Sequence, residues 1–105
     1  MKYNKLVRDR IPEIIRSQGK ECVCRTLTEQ EYIDFLDAKL NEELAEYQES
    51  KSMEELADLL DVVRAVALAR GSSIEEVEQI REAKAAKRGG FSKRILLTEV
   101  SEEHS

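Results

Sequence analysis

Two pairs of acidic residues on either side of a short serine-containing stretch have the spacing of a cation site. Glu43 and Glu46 are three residues apart, as are Glu55 and Asp58, so each pair lies on one side of a helix. If the two helices run antiparallel, the four carboxylates come to one level. Carboxylate oxygens suit a hard divalent cation, Mg²⁺ or Mn²⁺, which commonly shares its coordination with phosphate groups. The pattern therefore predicts a site for a metal ion and a phosphorylated ligand.

The same acids have a second explanation as an ordinary hydrated surface. The stretch 41–61 contains eight carboxylates and a single cation, Lys51, and such charge runs are often simply solvated. Glu55 also stands three residues after Ser52, where its side chain could complete a capping box at the start of a helix. Spacing alone leaves both interpretations open.

Three repeats of a helix-start signal place these acids on predicted helices. The signal is Ser or Thr followed three residues later by Glu, and the pairs are Thr28 and Glu31, Ser52 and Glu55, and Ser73 and Glu76. They predict helices ending near residues 49, 70 and 88. A shorter helix is expected between Pro12 and Gly19. The connection around residues 50 and 51 is short, so the first two long helices should form an antiparallel hairpin.

The first long helix has an apolar stripe that predicts its core-facing side. The stripe consists of Tyr32, Leu36, Leu40, Leu44 and Tyr47. Glu43 and Glu46 lie beside this stripe, whereas Glu42 points nearly away from it, toward solvent. On the second helix Asp61 lies further round still, so we expect it to be hydrated or paired with Arg64.

The remaining pattern predicts one mainly α domain over residues 1–105, a compact antiparallel helical bundle. Aromatic residues make up only 5% of the chain, so its core must be largely aliphatic. Segments 22–27 and 94–100 have the β-branched, alternating character of short strands and could pair as a two-stranded β-ribbon. Cys22 and Cys24 are expected to be small strand residues, since two cysteines are too few for a zinc site or a disulfide framework.

Charge and hydropathy exclude several classes of partner. The net charge of -5 argues against nucleic acid and anionic membranes as partners. No apolar run approaches the roughly 20 residues that span a bilayer, and no signal-peptide core follows the charged start. We therefore expect a cytoplasmic protein without a nucleic-acid or membrane partner.

The acids also match a known motif when they are read in order along the chain. Glu42, Glu43 and Glu46 form E-E-x-x-E, and Glu55 and Asp58 form E-x-x-D. Together with the opening YNKLVRDRIPEII and the RGGF at 88–91, this resembles the MazG-type, all-α nucleoside triphosphate pyrophosphohydrolase superfamily, in its phosphoribosyl-ATP pyrophosphohydrolase-like branch. The resemblance spans nearly the whole chain. Only eight residues separate the two halves of the motif, fewer than in many members, so the hairpin must be tight.

This resemblance implies a metal-dependent hydrolase. A nucleoside triphosphate would be cleaved between its α and β phosphates, giving a monophosphate and pyrophosphate, with Mg²⁺ or Mn²⁺ as cofactor and a role in nucleotide-pool house-cleaning. The protein would be a homodimer or a higher homo-oligomer. The implied metal ligands are Glu43, Glu46, Glu55 and Asp58, and the implied catalytic acids are Glu42 and Glu43. The implied substrate-binding residues are Lys5, Arg8, Arg10, Lys84, Lys87 and Arg88.

Other functions remain compatible with the sequence. One is the phosphoribosyl-ATP pyrophosphohydrolase reaction of histidine biosynthesis, and another is a non-catalytic module whose acidic helices bind a basic partner. The cations have structural explanations too: those that end the last helix suit its dipole, and Arg8 could pair with Asp9. Base preference, sugar preference and oligomer size do not follow from the sequence.

Overall fold

The chain folds into four α-helices, described here for residues 4–102 from a computed structural model. Helix α1 spans Ile11–Ser17, α2 spans Glu29–Ser50, α3 spans Met53–Ala69 and α4 spans Ile74–Arg88. No strand occurs within residues 4–102, so the prediction of a mainly α protein is confirmed. None of the helices in this range has the length and apolarity that crossing a membrane would require.

The two central helices begin at the predicted serine and threonine caps. Thr28 Oγ1 accepts a hydrogen bond from the Glu31 amide at 3.2 Å, and Glu31 Oε1 accepts one from the Thr28 amide at 3.0 Å. This reciprocal pair is the capping box expected at the start of α2. Ser52 Oγ likewise accepts from the Glu55 amide at 3.3 Å, and α3 follows immediately.

The connection between α2 and α3 is a tight turn closed by Lys51. This residue adopts the left-handed conformation, with φ of 59°, and its amide donates to the carbonyl of Tyr47 at 2.7 Å. Such a residue ends a helix and reverses the chain within one or two positions. Because the turn is so short, α2 and α3 pack against each other as the predicted antiparallel hairpin.

The interior of this hairpin is small. Leu36 and Ala67 are buried, and the charged residue Glu43 is buried as well. Two members of the predicted core stripe are exposed instead, Tyr32 at 38% and Leu44 at 43%. The stripe is wider than the strip of α2 that a single partner helix can cover, so its edges stay in contact with solvent.

The predicted β-ribbon is wrong. Neither 22–27 nor 94–100 forms a strand, and Val23 and Ile95 are 102% and 81% exposed. An isolated two-stranded ribbon is only marginally stable unless it gains a third strand or packs one face against another element. The exposure of Val23 and Ile95 shows that these side chains are not packed in this way. In addition Arg94 has φ of 56°, which interrupts extended backbone at the start of the second segment.

Contacts divide the chain into two units, one ending at Ile74 and the other beginning at Glu75. The first contains the hairpin and the short helix α1. The second contains nearly all of α4 and the segment after it. A single domain over residues 1–105 stays a prediction.

Candidate metal site

The antiparallel hairpin brings the predicted metal ligands together. One carboxylate oxygen from each of Glu43, Glu55 and Asp58 lies within 4.8 Å of the others, and the same holds for Glu42, Glu43 and Glu46. Glu43 belongs to both groups, so five carboxylates from two helices form one connected set, which we call the acidic cluster. The expectation that four acids meet at one level is therefore confirmed for Glu43, Glu55 and Asp58, whereas Glu46 is grouped with Glu42 and Glu43.

Glu43 is the centre of the acidic cluster and its most buried member. Only 6% of the residue is exposed. Lys39, one turn earlier on α2, lies 3.4 Å from Glu43 Oε1, but Oε2 is fully buried and has no hydrogen-bond partner within residues 4–102. Leaving a buried carboxylate oxygen without a donor costs about 1 to 3 kcal/mol or more. An arrangement of this kind is expected where a ligand supplies the missing partner.

Burial and like charge both oppose ionisation at this point. Burial raises the pKa of Glu43, and the neighbouring Glu46 carboxylate raises it further, although Lys39 acts in the opposite direction. Burial also raises the pKa of Glu55, with additional repulsion from Glu46 and Asp58. The acidic cluster thus holds more negative charge than its local cations neutralise.

Glu55 is available to the acidic cluster because its side chain does not complete a capping box. At the start of α3 the amide that such a box would use, that of Ser52, donates instead to Ser50 Oγ at 3.2 Å. Glu55 contributes only its backbone amide to the cap. The capping box that the sequence suggested for Glu55 therefore does not engage its carboxylate.

Glu42 differs from its neighbour because two cations surround it. Lys5 lies 3.2 Å from one carboxylate oxygen and Lys39 lies 3.4 Å from the other. Burial raises the pKa of Glu42, but the two lysines outweigh it and the pKa is lowered overall. The expectation that Glu42 simply points to solvent is wrong, since the opening segment of the chain folds onto it.

Arg8 is paired with the other side of the acidic cluster. Its Nη2 donates to Asp58 Oδ1 at 2.7 Å and its Nη1 donates to Asp61 Oδ2 at 2.8 Å. Hydrogen bonds to Asp61 and Asp58 raise the pKa of Arg8 further above its already high value. The partners suggested by sequence, Asp9 for Arg8 and Arg64 for Asp61, are therefore replaced by a contact between the opening segment and α3.

The other predicted phosphate ligands are Arg10, in the first unit, and three cations of α4. Arg10 Nε donates to Glu13 at 3.4 Å, within the first turn of α1. Lys84, Lys87 and Arg88 lie in the last two turns of α4, in the second unit, as the helix dipole favours. Their part in binding a substrate stays a prediction. The single histidine of the sequence, His104, lies outside the described residues.

A cavity of about 290 Å³ opens beside the acidic cluster. One part of its lining is charged and includes Glu43, Asp58 and Asp61. The other part is largely apolar and is formed by Leu6, Val7, Tyr32, Leu36, Val62 and Ala65. Its size is near the lower end of small-molecule sites, roughly 300 Å³, so it can accept part of a nucleotide.

The donor set fits a hard divalent cation. All candidate ligands are carboxylate oxygens, several lie within 4.8 Å of one another, and one is buried without a partner. Mg²⁺ and Mn²⁺ take such ligands and retain some water, whereas zinc prefers nitrogen and sulfur. Within residues 4–102 the two cysteines are free, Cys24 being exposed and Cys22 partly buried.

Sequence reasoning missed three residues of this region. Lys39 carried a signal, because it precedes Glu43 by four positions on one helix face. Asp61 and Tyr32 had no sequence signal that linked them to the site. Asp61 belongs to this region because it accepts a hydrogen bond from Arg8, and Tyr32 because it lines the cavity. Contacts between residues so far apart in sequence depend on how the opening segment folds back.

Comparison with known proteins gives little further information on this site. No family model matches the chain, and no solved structure matches it. A protein of Mycolicibacterium smegmatis (strain ATCC 700084 / mc(2)155), described as an uncharacterized protein, is 63% identical over 41 residues. The match covers 39% of this chain and 42% of that relative, so the chain spans less than half of its length.

Proposed function

We propose that this protein is a metal-dependent nucleotide pyrophosphohydrolase. The substrate is a nucleoside triphosphate, cleaved between the α and β phosphates to a monophosphate and pyrophosphate. Clearing unwanted nucleotides from the cytoplasmic pool is the role that such a reaction would serve. The observation that carries the proposal is the buried, unpartnered oxygen of Glu43 within an acidic cluster contributed by two helices.

The residues have separate parts in this proposal. Glu43, Glu46, Glu55 and Asp58 would hold Mg²⁺ or Mn²⁺. When bound, the ion neutralises phosphate charge and lowers the pKa of a water. Glu42 is kept ionised by Lys5 and Lys39, so it suits hydrogen bonding to a water better than accepting its proton. The apolar wall of the cavity would receive the base or sugar.

A non-catalytic acidic module is less well supported. A surface that attracts a basic partner needs accessible carboxylates, whereas the central acid here, Glu43, is only 6% exposed. Burying a carboxylate is costly and is unnecessary for a docking face. Hydrolysis of phosphoribosyl-ATP uses the same chemistry, and nothing in the cavity separates it from hydrolysis of ordinary nucleotides, so it belongs in the substrate panel.

We further propose that the protein acts as a homodimer or a higher homo-oligomer. The support is a group of exposed apolar side chains on the hairpin, which we call the apolar patch: Leu44, Met53, Leu56 and Leu60. On α3 the spacing of its three members, i, i+3 and i+7, is that of a helix face that packs against another helix. A second copy of the hairpin offers the same surface in return.

The test is pyrophosphate release from a panel of nucleoside triphosphates and phosphoribosyl-ATP, with and without Mg²⁺. We expect metal-dependent release that is lost, by about 100-fold or more, in Glu43→Gln, because several acids act on one ion. The matched control is Glu49→Gln, an exposed acid of the same helix outside the acidic cluster. Equal activity in both variants, or release without Mg²⁺, would contradict the proposal.

A further inference from the structure

The opening segment, residues 4–10, places Arg8 against Asp58, one of the acids proposed to hold the metal, and Lys5 against Glu42, another member of the acidic cluster. Arg8 spans Asp58 and Asp61 with its two terminal nitrogens, at 2.7 and 2.8 Å. Lys5, on the same segment, lies 3.2 Å from Glu42. Two parallel contacts from one guanidinium fix both its position and its orientation. The segment is therefore held to the hairpin through the acidic cluster.

Arg8 and a divalent cation would use the same carboxylate. Asp58 has one oxygen within 4.8 Å of oxygens from Glu43 and Glu55, and it is also an acceptor for Arg8. A guanidinium and a doubly charged ion a few ångströms apart repel each other, at a cost that grows where solvent is partly excluded. Occupation of Asp58 by one of them therefore weakens the hold of the other.

We propose that Arg8 is an internal counter-ion of the metal site and that metal binding releases it from Asp58. This inference rests on the proposed function for the identity of the site. In the metal-free protein Arg8 neutralises part of the acidic cluster and fastens the opening segment. Arg8 already lines the cavity, so once its contact with Asp58 is lost its guanidinium can donate to a phosphate bound there. Metal affinity and the position of the segment are thus coupled.

Coupling of this kind is reciprocal, so it can be measured from either side. On the metal side, the full chain is titrated with Mn²⁺ alone, by calorimetry or electron paramagnetic resonance. We expect Arg8→Gln to bind Mn²⁺ about 5-fold or more tightly than the unchanged chain, because the competing cation is gone. Arg8→Lys retains the charge but cannot span two carboxylates, so we expect a smaller increase.

The matched control is Arg70→Gln. Arg70 also donates to an aspartate of the hairpin, Asp37, at 2.9 Å, and both partners are exposed to a similar degree as Arg8 and Asp61. It touches no member of the acidic cluster. If loss of one positive charge were sufficient, both variants would bind Mn²⁺ equally tightly. Competition for Asp58 predicts tighter Mn²⁺ binding in Arg8→Gln and unchanged Mn²⁺ binding in Arg70→Gln.

On the segment side, the rate at which trypsin cleaves after Lys5 is followed by mass spectrometry. Mg²⁺ should accelerate this cleavage in the unchanged chain, because the segment loses a contact to α3. In Arg8→Gln the cleavage should be fast without Mg²⁺ and respond little to it. Protection of the segment by Mg²⁺ would overturn the inference.

The possible results separate this inference from the reaction. Equal Mn²⁺ binding by Arg8→Gln would mean that Arg8 is not coupled to the metal, and weaker binding would mean that Arg8 orients Asp58 for it. Either result overturns competition and leaves the site standing. Tighter binding without any pyrophosphate release would support Arg8 as counter-ion and remove only the proposed reaction. No Mn²⁺ binding by any variant would overturn both. Should Arg8→Gln fail to fold, Arg8→Lys provides the same comparison.

Discussion

Two adjacent glutamates illustrate how the site is determined residue by residue. Glu42 and Glu43 have the same side chain, yet the pKa of the first is lowered and that of the second is raised. Burial raises both, but Lys5 and Lys39 reverse its effect at Glu42. Glu43 has one lysine and a repelling neighbour, Glu46. The chemistry of each acid is therefore set by which cation reaches it.

At the residue scale, Glu43→Gln should stabilise the metal-free protein. The amide keeps the shape of the side chain, removes its charge and can donate a hydrogen bond toward Glu46. At pH 7 to 8 we expect the free energy of unfolding to rise by about 1 kcal/mol, the order of one unsatisfied buried oxygen. Thermal unfolding in buffer with chelator should show a Tm higher by about 4 °C or more.

This gain should depend on pH in a defined direction. Because the pKa of Glu43 is raised in the folded state, its contribution to stability is present in acid and is lost as the pH rises through that pKa. The difference between Glu43→Gln and the unchanged chain should therefore shrink as the pH falls toward 4.5. Glu49→Gln is the control. A gain that grew on acidification would contradict the burial argument.

At the scale of elements, one sequence motif produces two different helix starts. At α2 the side chain of Glu31 closes the capping box and also accepts from Arg25 at 2.8 Å. The hydrogen bond from Arg25, followed by the one from Thr28, lowers the pKa of Glu31 to about 2. At α3 Ser50 takes over the corresponding amide, so Glu55 is left to the acidic cluster.

The complete box at α2 can be tested by Thr28→Ala. The substitution removes the acceptor of the Glu31 amide, and we expect a loss of about 1 kcal/mol in the free energy of unfolding. Urea unfolding at pH 7 measures it. Thr26→Ala is the control, because Thr26 precedes the helix and does not cap it. Equal losses in the two variants would show that the capping box contributes nothing measurable.

For the whole molecule, the exposed apolar patch is the main unexplained feature of the hairpin. Met53 and Leu60 are 67% and 56% exposed, whereas within residues 4–102 the buried apolar side chains are those of Leu36 and Ala67. A helix with so much apolar surface in water is better stabilised by a partner. This imbalance is the support for the proposed homo-oligomer.

The prediction at this scale is that Leu60→Glu weakens association. Sedimentation analysis should find a homodimer or larger oligomer for the unchanged chain and a shift toward monomer for the variant, since a charge at a packed apolar surface is costly. Ile80→Glu is the control, because it also places a charge at an exposed aliphatic side chain but lies on α4, outside the apolar patch. A monomer in all three proteins would exclude the patch as an interface.

The helices, the tight turn and the approach of the acids follow from the amino-acid sequence alone. These features depend on local rules: cap residues fix where α2 and α3 begin, a short connection enforces an antiparallel hairpin, and helical spacing then brings Glu43 near Asp58. Each rule acts over a few residues, so the order of amino acids is sufficient to apply it.

The partners of the charged side chains and the conformation of the two predicted strand segments depend on the folded backbone. Arg8 reaches Asp58 across fifty positions, and Ser50 rather than Glu55 caps the Ser52 amide. Segments 22–27 and 94–100 stay irregular because a strand needs a neighbour to take up its hydrogen bonds. Each of these groups has several possible partners in the sequence. The folded backbone determines which of them lies close enough to form the contact.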